Sequence, residues 1–429
     1  MKTKAAKTRK QGEISFERDG GCVMNGWETT TIGEEFDLFA GGDVDKEHFS
    51  QVRTDVFKYP IYANVLQREG LYGFTSIPRY KNDSITVTGR GDVGVAMYRN
   101  TDFDAIVRLL VLTPKPKSKA DSLFTTYLIQ KCVDFPMEST GVPQLTVPQI
   151  RNVELTLPPL PEQRRIAAVL SDTDALISAQ EKLIAKKRAV KQGAMRELLT
   201  GKKRLLGFSG EWVEKTVEEI VERFATGLNH RQNFTLNTGG SNYYVTIKNF
   251  FDGTLYLNNE CDKVDNTALD LINARSDLRK DDILFSSIGR VGDTYLVKET
   301  PRNWNINESV FTLRPNKAVI APLFLYYLLK SDYTQRALSE NSTGSTLTSI
   351  KMGHLKVIVL PFPKDTSEQA AIAQILSNMD AEIDALATNL NKLRNIKQGM
   401  MGELLTGRIR LPGRGAKGHN RQSKGGKPE

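Results

Sequence analysis

QGAMRELLTG, Gln192–Gly201, is spelled a second time as QGMMGELLTG at Gln398–Gly407. Each copy reads as a helix end running into a glycine stop, and the two are offset by 398 − 192 = 206 residues. Outward from there, Glu162–Leu205 and Glu368–Leu411 align at the same offset without a gap. Roughly half of the aligned positions are identical, which marks duplicated structure. The repeat continues upstream, where ESTGVPQLT before LPPLPEQ answers ENSTGSTLTS before LPFPKDTSEQ. More weakly, Trp27 with Thr31, Ile32, Gly33 and Glu34 answers Trp212 with Thr216, Val217, Glu218 and Glu219. The repeating unit is therefore a globular part of about 150 residues followed by a long helix.

Several independent signals agree on the helices. Pro158, Pro159 and Pro161 end the preceding strand-like segment, Pro161 suits a first helical turn, and Thr366 with Gln369 has capping-box spacing. Gly201 and Gly407 stand where a left-handed C-terminal cap is wanted. Between these limits Ile372, Leu376, Met379, Ile383, Leu386, Leu390 and Leu393 alternate steps of four and three, a heptad seam. The first copy keeps Leu170, Ile177, Ile184 and Leu198 in register with Leu376, Ile383, Leu390 and Leu404, and adds Val169, Leu176, Leu183 and Val190 beside them. Two amphipathic helices of about 39 residues, each ~60 Å long, need a partner for one face. The second globular part starts at Trp212, just after the first helix, and leads into the second; at roughly 40 Å across it returns the chain near that point. The expectation is an antiparallel coiled coil with quasi-twofold internal symmetry and a globular part at each end. The fold class is α+β, two tandem α/β domains separated by the helix pair. The expected boundaries are a basic tail at 1–13, domains at 14–160 and 208–365, helices at 161–207 and 366–411, and a basic tail at 412–429.

The chain has 429 residues, is 39% hydrophobic and 25% charged, and has room for real cores. No apolar run approaches the ~20 residues of a membrane span, and no apolar segment follows the basic start MKTKAAKTRKQG, so a cytoplasmic location is expected. Cys22, Cys132 and Cys261, with His48, His230, His354 and His419, have neither disulfide-framework nor zinc-site spacing, so no metal is expected. The net charge of +9 resides in the tails: Lys2, Lys4, Lys7, Arg9 and Lys10 at one end, Arg414, Lys417, Arg421, Lys424 and Lys427 against Glu429 at the other. Between them the body is close to neutral, so DNA binding must come from local clusters. Both tails offer almost nothing to bury and are expected to be disordered.

Each globular part mixes short strands with a helix or two. YYVTIKNF, DILFSSIG, DTYLVKE and SVFTLRP precede an apolar helix around APLFLYYLLKS; SITVTGRG, VGVAMYRN and IVRLLVLTP precede SLFTTYLIQK. Gly89–Gly94 matches G-x-G-x-x-G, but VGVAMYRN continues as strand where a dinucleotide site needs a helix, so the stretch reads as a tight turn. No phosphate loop, GxSxG elbow, HExxH pair or aminomethyltransferase tetrapeptide is present. The chain reads as a binding protein without chemistry of its own.

Segments joining basic, amide and aromatic side chains suit nucleic acid, because phosphates want charge and base edges want directional donors and acceptors. In the first part these are Lys58, Tyr62, Asn64, Arg68, Arg79, Tyr80 and Lys81, with Arg90 in the glycine turn. In the second they are His230, Arg231, Tyr243, Tyr244, Lys248 and Asn249, with Ser287 and Arg290 in the turn SSIGR. The first helix is also basic, through Lys182, Lys186, Lys187, Arg188, Lys191, Lys202, Lys203 and Arg204. Such a run is a solvated face, a track for the DNA backbone, or a dock for an acidic partner.

LPPLPEQRRIAAVL with KQGAMRELLTGKKRL, and LPFPKDTSEQAAIAQIL with KQGMMGELLTGRIRL, resemble the DNA-specificity subunits of type I restriction-modification systems. Trp212–Gly227, DILFSSIGRVGDTYLV and NSTGSTLTSIKMGHLKVIVLP also resemble the frame of that family's target-recognition domains; GRGDVGVAM in the first domain departs from it. The resemblance covers almost the whole chain. It implies that each domain reads one half of a split double-stranded DNA site, while the helices set the gap and hold two adenine-methyltransferase subunits. Restriction and translocation subunits join that core, in defence against foreign DNA. S-adenosylmethionine, ATP and Mg2+ then belong to the partners, and this chain binds no cofactor. The competing readings are a stand-alone tandem DNA-binding regulator, which should bind tightly alone, and a helical protein-binding scaffold without a DNA role.

Overall fold

The computed structural model describes residues 26–411 except 136–142, 238, 252 and 343–347. The two basic tails, Cys22 and His419 lie outside the described residues. Contacts divide the chain into two compact units, residues 1–178 with 391–429, and residues 179–390. The division falls within the long helices rather than at their ends, so each unit takes part of each helix.

In the first unit the chain runs through β1 (Glu28–Thr31), α1 (Ile32–Glu35), β2 (Phe36–Ala40), β3 (Phe49–Ser50), β4 (Tyr59–Tyr62), β5 (Leu71–Thr75), β6 (Ser84–Val87), β7 (Ala96–Arg99), β8 (Asp104–Ala105) and β9 (Leu110–Pro114). There follow α2 (Ser122–Cys132), α3 (Val147–Arg151), β10 (Glu154–Leu157) and the long helix α4 (Leu160–Leu198). One sheet has the order β2-β9-β6-β7, a second β3-β5-β4-β8, and β10 comes back to pair antiparallel with β1. The second unit adds β11 (Trp212–Thr216), α5 (Val217–Ile220), β12 (Val221–Thr226), α6 (His230–Asn233), β13 (Asn242–Val245), β14 (Phe250–Phe251), β15 (Thr254–Leu255) and β16 (Lys263–Val264). Then come α7 (Asn266–Ser276), β17 (Ile283–Ser286), β18 (Thr294–Leu296), β19 (Trp304–Ile306), β20 (Val310–Pro315), α8 (Pro322–Leu329), α9 (Asp332–Asn341), α10 (Met352–Lys356), β21 (Val359–Pro363) and α11 (Thr366–Leu404). Its main sheet, β12-β20-β17-β18, repeats the first unit's order, and β11 pairs antiparallel with β21 as β1 does with β10. A parallel pair recurs as well, β4 with β8 and β13 with β19.

Duplication reaches individual hydrogen bonds. Thr31 with Glu34 and Thr216 with Glu219 both close capping boxes that start the one-turn helix after the entry strand. Gln163, on α4, is fully buried; its amide donates to the Lys119 and Pro158 carbonyls, each at 2.8 Å, and accepts from the Asp121 N–H at 2.8 Å. Gln369, on α11, does the same with the Val319 carbonyl at 3.0 Å, the Pro363 carbonyl at 2.8 Å and the Ala321 N–H at 2.7 Å. A buried backbone group without a partner is costly, so one amide satisfies three at the joint between domain and helix.

α4 and α11 each span 39 residues and stop as the glycines require, Gly201 at φ +71° and Gly407 at φ +70°. A Cβ on Gly201 would also meet the Trp212 indole at 3.0 Å. The helices pair antiparallel within each unit. In the second unit Lys187 meets Glu382 at 2.6 Å, Lys191 meets Asp380, and Arg204 grips Glu368 with two bonds of 2.7 Å. In the first, Lys397 meets Asp174 at 2.6 Å and Arg410 reaches Glu162 at 2.6 Å. At the offset of 206, Lys191–Asp380 maps onto Lys397–Asp174 and Arg204–Glu368 onto Arg410–Glu162. Leu170, Ile184, Leu198, Leu376, Ile383, Leu390 and Leu404 are buried along the seam, and Ile177 is half-buried.

Helix and domain share one core in each unit. In the first, Ile32, Phe36, Ile85, Leu110, Phe124 and Leu128 pack with Ile166 and Leu170 of α4 and with Leu404 of α11 and Leu405 just beyond it. In the second, Val217, Ile283, Phe285, Leu313, Phe324 and Leu328 pack with Leu198 of α4 and with Ile372 and Leu376 of α11. Gln163→Leu is expected to lower the stability of the first unit by about 2–4 kcal/mol, because it orphans buried backbone groups. Hydrogen exchange should then lose protection around Phe124 and Ile166 and keep it around Phe324 and Ile372. Equal loss in both units would show that they unfold as one.

Candidate nucleic-acid interface

The glycine turn of the first unit and SSIGRVG of the second prove to be the same hairpin turn. Gly94 N–H bonds the Thr88 carbonyl at 2.8 Å and Gly292 N–H bonds the Ser286 carbonyl at 3.1 Å. Leu145 N–H bonds Gly89 and Ile350 N–H bonds Ser287, both at 2.9 Å. Positive φ falls at matching glycines, +69° and +86° at Gly91 and Gly94, +76° and +90° at Gly289 and Gly292. The apparent departure of GRGDVGVAM from the second domain's pattern is therefore one of side chains on a shared backbone.

The side chains of that turn are occupied. Arg90, exposed, donates to Gln144 Oε1 at 2.9 Å, while Asn64 donates to the Arg90 carbonyl at 3.0 Å and accepts from Gly89 N–H at 2.8 Å. Arg290 bonds Asp293 at 2.5 Å and the Ile247 and Phe250 carbonyls at 3.2 and 3.1 Å, and lies over the Phe251 ring. Both arginines stitch a turn together, and a nucleic acid would have to compete with those bonds.

Four further candidates serve the fold in the same way. Arg79 is clamped by Asp104 at 2.5 Å and by the Ala105 carbonyl, and this hydrogen bond raises its pKa. Asn249 spends its oxygen on Thr246 N–H and Oγ1 and its nitrogen on Cys261 Sγ. Tyr80 stacks on Phe103 and meets the tilted ring of Phe39, and burial raises its pKa. Lys81 is paired with Asp102 at 3.1 Å.

Tyr244 and Ser287 correct the expectation outright. Tyr244 is 1% exposed, its hydroxyl donates to the Leu228 carbonyl at 2.6 Å, and burial raises its pKa; Ser287 is 4% exposed and donates to the Ser309 carbonyl at 2.7 Å. Neither side chain reaches a surface. Tyr62 is half-buried under the Arg99 guanidinium, 3.5 Å from the ring centre. Tyr243 is half-buried with Lys263 over it at 5.6 Å, and His230, on α6, sets its ring edge-on to Tyr244.

Of the predicted contact residues, those exposed with neither an ion-pair partner nor a side-chain hydrogen bond among the described residues are Lys58 and Arg68 in the first unit, Arg231 and Lys248 in the second. Arg53 joins them; no sequence pattern singled it out, but it lines the same cleft as Lys58 and Arg68. Along α4 and the segment just after it, Lys187, Lys191 and Arg204 neutralise acids of α11, which leaves Lys182, Lys186, Arg188, Lys202 and Lys203 exposed, Lys203 within 3.9 Å of Glu197. Among the described residues no cluster of His, Cys, Asp and Glu is arranged to hold a metal, and no helix is long and apolar enough to cross a membrane.

Arg290→Ala and Asn249→Ala should therefore lower the melting temperature by about 2–6 °C, through lost turn bonds. Arg231→Ala and Lys248→Ala should leave melting unchanged and each reduce the salt dependence of DNA binding by about one ion. An Arg290→Ala protein that melts normally but binds DNA poorly would reverse this assignment.

A family model described as the type I restriction modification DNA specificity domain matches residues 24–186 and again residues 209–395. A Mycoplasma pneumoniae chain provisionally named a type I specificity subunit is 31% identical over 147 residues, spanning 32% of this chain and 40% of that one. The MjaVIII type I restriction enzyme specificity subunit of Methanocaldococcus jannaschii is 26% identical over 322 residues, 68% of this chain and 71% of that one. In fold, the S subunit of a type I restriction-modification system from M. genitalium matches with a TM-score of 0.60 at 18% identity, covering 88% of this chain and 96% of that one. With two matches that together take in most of its length, each on one copy of the repeat, this chain belongs to the type I restriction-modification DNA-specificity family.

Proposed function

We propose that this chain is the non-catalytic specificity subunit of a type I restriction-modification complex, directing adenine methylation and ATP-dependent restriction by its partners. Each domain reads one half of a bipartite duplex site, and the helix pair sets the length of the unread stretch between the halves. The observation that carries this reading is one frame built twice with different exposed side chains. The sheet order and the glycine turn recur, while Arg53, Lys58 and Arg68 have no counterpart by position in Arg231 and Lys248. Two readers of the same build with different faces suit two different half-sites.

Two methyltransferase subunits dock on the helices in this reading, and they bring S-adenosylmethionine; restriction subunits bring the ATP- and Mg2+-dependent steps. α4 supports a docking role. Val169, Leu176, Leu183 and Val190 recur every seventh residue and are 37, 58, 39 and 51% exposed. A regular apolar stripe left in water marks an interaction face. At the 206 offset α11 carries Ile375, Glu382, Asn389 and Ile396, so the stripe belongs to α4.

Two measurements test the proposal. Mapping methylated adenines in cells carrying the system should give one bipartite motif, with one modified adenine in each half. Leu176→Glu with Leu183→Glu should abolish co-purification with the methyltransferase while melting and helix content stay unchanged. A continuous motif, or a chain that binds its site tightly without partners, would favour a stand-alone regulator.

A further inference from the structure

An open cleft of about 440 Å³ lies in the first unit beside β4 and β5. Tyr59, Tyr62 and Phe74 line it, together with three cations, Arg53, Lys58 and Arg68, and two carboxylates, Glu69 and Asp102, of which Asp102 is already paired with Lys81. None of the three cations is paired with a carboxylate among the described residues. Its one side is a strained loop. Arg68 at φ +51° and Glu69 at φ +55° are consecutive left-handed residues with side chains, followed by Gly70 at φ +84°. Such conformations persist only where the surroundings over-determine them, and they gather at binding sites.

The surroundings here include a buried cation. Arg99, 4% exposed, donates to the Glu69 carbonyl and to Thr86 Oγ1, each at 2.9 Å, and its guanidinium lies 3.5 Å from the Tyr62 ring centre. Ala63 N–H adds a bond of 2.8 Å to the Gly70 carbonyl. One arginine thus fixes both an aromatic lining the cleft and the loop that presents Arg68. Fold alone does not ask for this, since the parallel pair β13 with β19 in the second unit is built with no left-handed side-chain residue among the described residues from 221 to 264.

Flat apolar rings with cations at the margin match a nucleotide: a base takes the aromatics and its phosphate the cations. A duplex is too wide for a cleft of this volume; a single unpaired nucleotide is not. We propose that this cleft binds one unstacked nucleotide, with Arg68 and Lys58 on its phosphate. The nucleotide is either extruded from the DNA half-site read by the first domain or free in solution. The first source rests on the function proposed above and deepens it; the second does not.

The test has two arms, each run with the Lys58→Gln, Arg68→Gln double variant. In the first, the full chain is titrated with the four deoxynucleoside monophosphates and followed by intrinsic tyrosine fluorescence. In the second, the chain in complex with its methyltransferase binds duplexes carrying 2-aminopurine at successive positions of the first half-site. Extrusion predicts a fluorescence rise at one position, lost in the variant, while the second half-site is still recognised. A free nucleotide predicts saturable binding in the first arm, weakened at least tenfold in the variant, without the rise in the second. Silence in both arms overturns the proposal. If the complex nevertheless recognises its bipartite site, only the cleft assignment falls; if it recognises no sequence at all, the specificity-subunit reading falls with it.

Discussion

Each domain of this protein needs the far end of a helix that begins at the other copy of the repeat. Leu404 and Leu405 complete the core around Phe124 and Ile166, and Leu198 and Leu199 complete the core around Phe324 and Ile372. The arginine–glutamate pairs mark the same dependence in charge, Glu162 with Arg410 and Glu368 with Arg204. Both glutamates are almost fully buried, and a buried carboxylate is tolerable only with its cation and hydrogen bonds in place. Antiparallel pairing of α4 and α11 is thus the condition under which either domain closes.

Against that shared frame, the two domains divide their polar side chains between scaffold and surface. Arg79, Asn64, Asn249 and Arg290 satisfy carbonyls, N–H groups and acids of their own turns. Lys58, Arg68, Arg231 and Lys248 are left to solvent. A rigid turn lets the exposed residues vary without loss of fold, which is how one architecture can be retargeted to different half-sites.

The helices were legible because their signals are local. Heptad spacing, the prolines before the first turn and the stop glycines lie within the segments they govern, and the offset of 206 shows them twice. The strand pairs that close each domain, β1 with β10 and β11 with β21, join segments more than a hundred residues apart and left only the faint echo of Trp27 in Trp212. Contact residues were harder still. Tyr244, Ser287 and Arg290 carry the right chemistry for DNA, but whether a hydroxyl or guanidinium faces water or a carbonyl is decided by tertiary packing. Arg99 was invisible for the converse reason: nothing in YRN announces a buried guanidinium. GRGDVG and SIGRVG share Gly91, Val93 and Gly94 with Gly289, Val291 and Gly292, but the match is too short to stand out until the φ angles show one turn.

The shared cores have a consequence for synthesis on the ribosome. Residues 179–390 form a continuous segment, so the second unit has all its parts once that segment has emerged. The first unit is discontinuous and waits for residues 391 onward, although its strands are translated first. In a nascent chain, the head made earliest is the one finished last, with the apolar ends of Ile166 and Leu170 awaiting cover until Leu404 arrives. Translation that stops early would release a chain with one finished head and one incomplete one, a natural substrate for chaperones and proteases.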